Sequence, residues 1–289
     1  MEISEIFKYS QSDWVRYSDY EYRATPNGEL YITPTKTATI NIYNPLQEMD
    51  KLLIDTLNIG RLAAADEPDM PKVKSEILAY VKRYGLLGFM VSFPLSMDFS
   101  EKNDVLLGDN PLTDEQTMKT RDYIKLFVPF KIEQSGSGDN SAHSLPVTMF
   151  MSRPPVYEIA FGRGYGEKFE WICGMFSEMY SHFAAAAYYD KTDDVTVKGM
   201  YAGMVDAFKM YGLGFRVKML DVPTLLWDFS SLKITIDTLY GFYLTDPDRP
   251  LRICKHCRKV FVSRNSKAEF CSIPCRNQYN VYKSRKNKG

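Results

Sequence analysis

Four of the chain's five cysteines fall within the segment CKHCRKVFVSRNSKAEFCSIPC, from Cys254 to Cys275. No other feature restricts the possible fold as much. The spacing is C-x2-C, thirteen residues, then C-x3-C. Each close pair can clamp a metal from one tight turn, and four thiolates complete a tetrahedral shell at about 2.3 Å from Zn2+. Such a shell leaves no position for water or substrate. The expectation is a structural Zn2+ held by Cys254, Cys257, Cys271 and Cys275. A disulfide framework is the poorer expectation, because the start of the chain, MEISEIFKYSQSDW, carries early acidic residues and no apolar signal-peptide core. The longest apolar stretch, near YGLLGFMVSFPL, is far short of the roughly 20 residues that span a bilayer. A cytoplasmic protein without a membrane partner is expected.

The residues between the cysteines fit one small fold. Cys254-Lys255-His256-Cys257 reads as a knuckle turn, Val260-Phe261-Val262 as a short strand, and SRNSK as the next turn. Phe270 leads back to Cys271. Pro274 stands where a helix can begin, and PCRNQYNVYKSRK can continue it. Knuckle, hairpin, and a helix whose first turn supplies the last ligand is the treble-clef arrangement. Cys275 near a helix N-terminus gains from the dipole, which favours its thiolate. His256 is expected to point away from the knuckle, and Cys173 reads as a small core residue on a helix.

Charge is divided unevenly along a chain of zero net charge. Residues 251–289 carry eleven Lys and Arg against one acid, Glu269, which leaves 25 basic and 35 acidic residues before them. A basic tail on an acidic body suits an anionic partner, or docking on the body itself. On a helix from Pro274, the 100° step per residue puts Arg276, Asn280, Lys283 and Asn287 on one face. Cys275, Tyr279 and Tyr282 fall on a neighbouring face. Arg and Lys bind phosphates, and Asn reads base edges or phosphate. Arg276, Asn280 and Lys283, aided by Lys255, Arg258 and Lys259, are the candidate nucleic-acid contacts, with Arg252, Arg264 and Lys267 adding charge.

The SRN after the first cysteine pair, the aromatic before the third cysteine, and CRNQYNVYKSRK after the fourth resemble the CGNR-type zinc fingers. Cys275-Arg276-Asn277-Gln278 stands where that family's name places Cys-Gly-Asn-Arg. The resemblance covers about forty residues at the C-terminus. It implies a finger behind a mainly helical domain, in bacterial proteins regarded as transcriptional regulators.

The body has weaker signals. ELYITPTKTATINIY alternates as strands do, after an Asn27-Gly28 turn, and Pro34 argues for an edge strand. Helical spacing appears in PLQEMDKLLIDTLNIGRLAAADE and in PKVKSEILAYVKRYG, the latter stopped by Gly85. IKLFVPFKI alternates and predicts a strand, followed by the loop EQSGSGDNSAHS and a partner strand in LPVTMFM. Three further helices are predicted: EKFEWICGMFSEMYSHFAAAAYY, TVKGMYAGMVDAFKMYG and VPTLLWDFSSLKITIDTLYGFYL. The first buries a stripe of Phe169, Ile172, Phe176, Met179 and Phe183. TDPDRP marks a boundary. The division is therefore 1–247, a mainly helical body with N-terminal and central strands, and 248–289, a zinc finger with a basic helix. The fold class is α+β, mostly α-helical, with a small β component and a treble-clef-like finger.

Catalytic signals are poor. Glu178 and His182 are one helical turn apart, which reads as a solvated pair. GRGYGEKF is glycine-rich without the dinucleotide fingerprint and reads as a turn. Ser230-Ser231-Leu232-Lys233 is an S-x-x-K without companion motifs. The reading is a non-enzymatic, zinc-containing nucleic-acid-binding protein, DNA first, with a regulator's body that senses a small-molecule ligand or a partner. Its rivals are a protein-interaction module whose finger caps the body, and an enzyme with an unrecognised site.

Overall fold

A computed structural model describes residues 3–93, 104–108, 110–131, 156–248, 250–263, 265 and 267–286. The chain mixes helix and strand. It opens with a short helix, α1 (Ile3–Ile6), and a short strand, β1 (Ser10–Gln11). Four strands follow: β2 (Trp14–Tyr17), β3 (Tyr20–Ala24), β4 (Leu30–Pro34) and β5 (Ile40–Tyr43). β2 pairs antiparallel with β5, and β3 with β4. Asn27-Gly28 turns the chain between β3 and β4, with Gly28 at φ 85°, as expected. β4 is nevertheless a central strand, because β8 (Glu167–Lys168) pairs with its other side at Tyr31 and Ile32. Pro34 is tolerated because it lies at the end of β4, beyond the reach of that two-residue partner.

Two helices of similar length come next, α2 (Met49–Ala63) and α3 (Met70–Tyr84). Asp69 caps α3 by accepting from the Lys72 amide at 3.1 Å, and Gly85 ends it at φ 87°. α4 is a single turn, Phe89–Ser92, before the small hairpin β6 (Asp104–Leu106) and β7 (Thr117–Lys119).

The alternation in IKLFVPFKI does not make a strand. Residues Thr120–Phe127 form helix α5, whose buried residues are Thr120, Tyr123 and Phe127. These follow a three-four spacing that the alternating Ile124 and Leu126 masked, and burial of the Tyr123–Phe127 side decided the matter. The loop at 133–144 and the strand expected at 145–151 lie outside the described residues.

After α6 (Val156–Phe161) and β8, helix α7 (Phe169–Tyr188) runs through the centre. Its stripe of Phe169, Ile172, Phe176, Met179 and Phe183 is buried as expected. α7 packs along α2 so closely that a Cβ on Gly60 would collide with the Phe176 carbonyl. α8 (Val195–Asp206) stops short of the expected end, and none of its residues is buried.

The third predicted helix is a helix only in part. Pro223–Asp228 is strand β10, paired antiparallel with β9 (Gly214–Met219) and parallel with β1. Ser231 then caps helix α9 (Leu232–Thr245) by accepting from the Ile234 amide. VPTLLWD lacks the polar breaks that separate helical from buried-strand patterning, and pairing with β1 and β9 fixed it as strand. The finger follows as β11 (Leu251–Ile253), β12 (Val260–Val262) and α10 (Ile273–Lys286), close to expectation. No helix among the described residues is long and apolar enough to cross a membrane.

Candidate metal centre and basic helix

β11 and β12 pair antiparallel, Leu251 opposite Val262 and Ile253 opposite Val260, so that Cys254 to Cys257 form the turn between them. The turn closes through the Cys254 amide on the Lys259 carbonyl at 2.9 Å, and the Arg258 amide on the Cys254 carbonyl at 3.0 Å. Arg258 adopts a left-handed φ of 62°, a conformation that non-glycine residues rarely take. The Lys255 amide, donating to the Glu269 carbonyl at 2.9 Å, ties the knuckle to the segment carrying Cys271. Pro274 and Cys275 then open α10, Cys275 in its first turn.

These connections bring the four cysteine sulfurs within 4.8 Å of one another. Cys257 Sγ lies 3.6 Å from Cys271 Sγ, which lies 3.5 Å from Cys275 Sγ. Those separations are far longer than the ~2.05 Å of a disulfide. They approach the edge of about 3.8 Å that a tetrahedron with 2.3 Å metal–sulfur bonds requires. The thiols also differ in how readily they lose a proton. Burial raises the Cys254 thiol, but the amides of Cys257, Cys271 and His256 outweigh it and bring it down to about 6. Cys271 is pushed up to about 12 by burial and by the thiols of Cys275, Cys257 and Cys254. A divalent ion at the centre would favour the thiolate form of all four. The four residues therefore suit a metal ion, and the donor set is one that soft divalent metals favour. His256 is no part of the cluster: its ring lies on Tyr282, centroids 5.9 Å apart and 14° from parallel.

Tyr282 and Tyr279, the latter 5.2 Å from the Phe270 ring, are the side of α10 that meets the knuckle. Arg276, Asn280 and Lys283 are all exposed. The other three candidate contacts have different surroundings. Lys255 is ion-paired with Glu269, the tail's one acid. Arg258 donates to the Tyr188 hydroxyl at the end of α7. Lys259 is exposed at the rim of a polar cleft of about 380 Å3 that it shares with Asp55 and Asn58 of α2. Asn287 and Arg264 lie outside the described residues.

The finger is seated on the body. Asn58 pairs with β12 as a neighbouring strand would, accepting from the Val260 amide at 2.8 Å and donating to its carbonyl at 3.0 Å. Val260 is 2% exposed and belongs to the body's hydrophobic core.

The body's other marked residues resolve into structural roles. Glu178 is exposed while His182 is buried, so they form no solvated pair. His182 Nε2 donates to the Val205 carbonyl at 2.9 Å, which leaves Nδ1 to accept from the Tyr240 hydroxyl at 2.5 Å. Ser231 is a helix cap whose hydroxyl also meets Ser92 at 2.8 Å, and Lys233 is held by Asp237 at 2.5 Å.

The most unusual group in the body, Glu167, was not singled out from the sequence. Its carboxylate is fully buried and accepts from the amides of Leu87, Gly88 and Phe89 at 2.7, 2.7 and 2.8 Å, and from the Tyr165 hydroxyl at 2.6 Å. Gly88, at φ 77°, turns those successive amides toward one point. Burial raises the carboxyl above its ordinary value against the pull of these donors. Nearby, a cavity of about 750 Å3 is walled by Phe89, Phe93, Trp171, Met175 and Phe208, with the Lys233–Asp237 pair on its lining. That size suits a small organic molecule. No known family model, curated protein or solved structure matches this chain.

Proposed function

We propose that the chain is a zinc-containing, non-enzymatic nucleic-acid-binding protein, DNA first, acting as a transcriptional regulator. Its C-terminal unit is a treble clef with Zn2+ on Cys254, Cys257, Cys271 and Cys275, in keeping with the resemblance to CGNR-type fingers. The supporting observation is the face of α10: Arg276, Asn280 and Lys283 stand exposed while the tyrosine side of the helix meets the knuckle. A metal-fixed helix presenting two cations and an amide is equipped to grip phosphates and a base edge. The cavity beside Lys233 and Asp237 is where the body's ligand would sit.

A second reading, a finger that caps the body as an interaction module, draws support from the Asn58–Val260 pair and the Arg258–Tyr188 bond. The two readings separate in a titration of duplex DNA over a range of salt. The nucleic-acid reading expects affinity at 50 mM salt that falls steeply as salt rises. The double variant Arg276→Ala/Lys283→Ala should flatten the slope of log K against log salt by about 2. Absence of binding at low salt, or a slope unchanged by the double variant, rejects it.

A further inference from the structure

The cavity of about 750 Å3 beside α7 is walled mostly by apolar side chains, yet it holds a charged pair. Lys233 and Asp237 are one turn apart on α9, and their side chains are only 13% and 7% exposed. They pair at 2.5 Å through Asp237 Oδ2. That bond uses one of the ammonium's three protons and one of the carboxylate's two oxygens. Among the described residues no other hydrogen bond reaches either side-chain group, and the ammonium's remaining neighbour is the Phe93 ring, 4.8 Å from its centre. Asp237 Oδ1 and two N–H donors of Lys233 are thus left over, on a pair that lines the cavity. Buried polar groups are nearly always satisfied, so an acceptor and a donor left together point to an occupant that supplies both partners.

The rest of the lining limits what that occupant is. Phe89, Phe93, Trp171 and Phe208 give the cavity aromatic walls, and Met175 and Met179 adaptable apolar ones. Glu170, Glu178 and Lys209 also reach the lining, but all three are exposed, where water screens them. His182 has both ring nitrogens committed, to Val205 and Tyr240. Gly174 lines the cavity from inside α7, where a glycine weakens a helix relative to alanine. Close packing on α7 accounts for Gly60 of α2, but a Cβ on Gly174 would meet nothing within 4 Å. Its missing side chain serves no helix contact and leaves the cavity open.

We propose that the cavity takes an uncharged planar molecule, an aryl carboxamide or a fused-ring heterocycle, whose one polar edge sets an N–H beside a C=O. The inference rests on the reading of this cavity as the body's ligand site and names the class of that ligand. The N–H of the edge donates to Asp237 Oδ1, and its C=O accepts from Lys233 Nζ. The two bonds close a ring with the existing one and leave the ion pair intact. An organic anion that reached Lys233 would also meet the Asp237 carboxylate, and a cation that reached Asp237 would meet Lys233. Between hydrocarbon walls, the like charge and the lost hydration both count against a charged ligand. The flat apolar part of the molecule lies among the aromatic and methionine side chains.

The test uses the full-length protein and three probes of one shape: naphthamide, naphthoate and naphthylmethylammonium. Each is titrated by calorimetry at up to about 1 mM, a range that ligands of this size reach. The amide should bind at least about tenfold more tightly than either charged probe. Gly174→Leu fills the cavity from a helix that leucine favours over glycine. It should abolish amide binding while helix content and the thermal midpoint hold or rise. Asp237→Asn leaves Lys233 without its counter-charge and should invert the order, with naphthoate first. If Asp237→Asn folds poorly, Gly174→Leu still decides. The proposal is overturned if the amide does not bind the wild type, if its binding survives Gly174→Leu, or if Asp237→Asn leaves the order unchanged. A charged probe that binds the wild type as tightly as the amide keeps a ligand site but rejects the uncharged class. None of these outcomes alters the salt dependence of DNA binding, so the reading of α10 stands or falls separately.

Discussion

Glu167 and Cys271 each gather several partners around one side chain, in surroundings that could hardly differ more. Glu167 is fully buried, and three amides and a hydroxyl converge on its carboxylate. Cys271 is exposed, and its close neighbours are other thiols at 3.5 and 3.6 Å. Around Glu167 the fold supplies every partner, inside a core that runs from Ile3 to Val260. Around Cys271 the partners are other thiols, a group that could hold a metal ion between them. In the finger, Cys254 and Val260 are the buried side chains among the described residues from 251 onward, and no side chain described in α10 is buried. A helix of 14 residues with nothing buried is marginal in water. The body is thus held by burial and by networks such as the one around Glu167, whereas the finger buries little and gathers four cysteines that could hold a metal ion.

Metal removal is the severest test of that contrast. Structural zinc sites carry about 10–16 kcal/mol of apparent binding free energy at neutral pH. If the four cysteines hold a metal, chelation, or Cys271→Ser, should abolish the bound metal and the circular dichroism of α10. All three tryptophans, Trp14, Trp171 and Trp227, lie in the body, so their fluorescence reports it separately. The urea transition seen by tryptophan should remain cooperative in the metal-free protein. Collapse of that transition on chelation would show that the body needs the metal as well.

The reciprocal change is Glu167→Ala. It strands the amides of Leu87, Gly88 and Phe89 and the Tyr165 hydroxyl in a dry interior. An orphaned buried donor costs about 1–3 kcal/mol, and for a group that can partly readjust we expect a total loss on the order of 3–5 kcal/mol. Glu167→Gln, which keeps an accepting oxygen, should lose less. The loss should appear in the tryptophan transition while the folded fraction keeps its full metal content. A Glu167→Ala protein as stable as the wild type would mean that the carboxylate is not what holds the Leu87–Phe89 turn.

How much of this could be read from sequence follows the same division. The finger was legible because paired cysteine spacing expresses its geometry over a few residues: Cys254, Cys257, Cys271 and Cys275 converge as spaced, and α10 begins around Pro274 as expected. α2, α3 and α7 were legible because each buries one stripe. α5 was not, since Ile124, Leu126 and Val128 alternate by chance while Tyr123 and Phe127 face the core. β10 was not, since strand pairing with β1 and β9 is a long-range choice that a seven-residue apolar run does not express. Glu167 was the least legible of all. A glutamate in a glycine-rich stretch reads as surface, and the amides that receive it are 80 residues earlier in the chain. The positive φ of Gly88 that turns those amides together is a property of the folded backbone, which the sequence does not display.

The contrast is weakest at the seam, and Asn58→Ala probes it with the smallest expected effect. Asn58 belongs to α2, yet its amide completes the hydrogen bonding of Val260 in β12. Val260 sits next to Lys259, whose carbonyl holds the Cys254 amide and so shapes the knuckle. Removing the Asn58 amide leaves the Val260 N–H and C=O without those partners. The cost should be about 1–3 kcal/mol, reduced where water can enter. If the knuckle's geometry depends on its seat, that cost appears as weaker metal binding, about 5- to 100-fold. The metal-free body should be unchanged by tryptophan fluorescence, because among the described residues Asn58 bonds within the body to the Ile54 carbonyl of its own helix alone. Competition with a chelator measures the first quantity and urea titration the second. Unaltered metal affinity would make the finger a self-sufficient unit that merely rests on α2. A shared loss in both measurements would dissolve the division between a body held by burial and a finger held by metal.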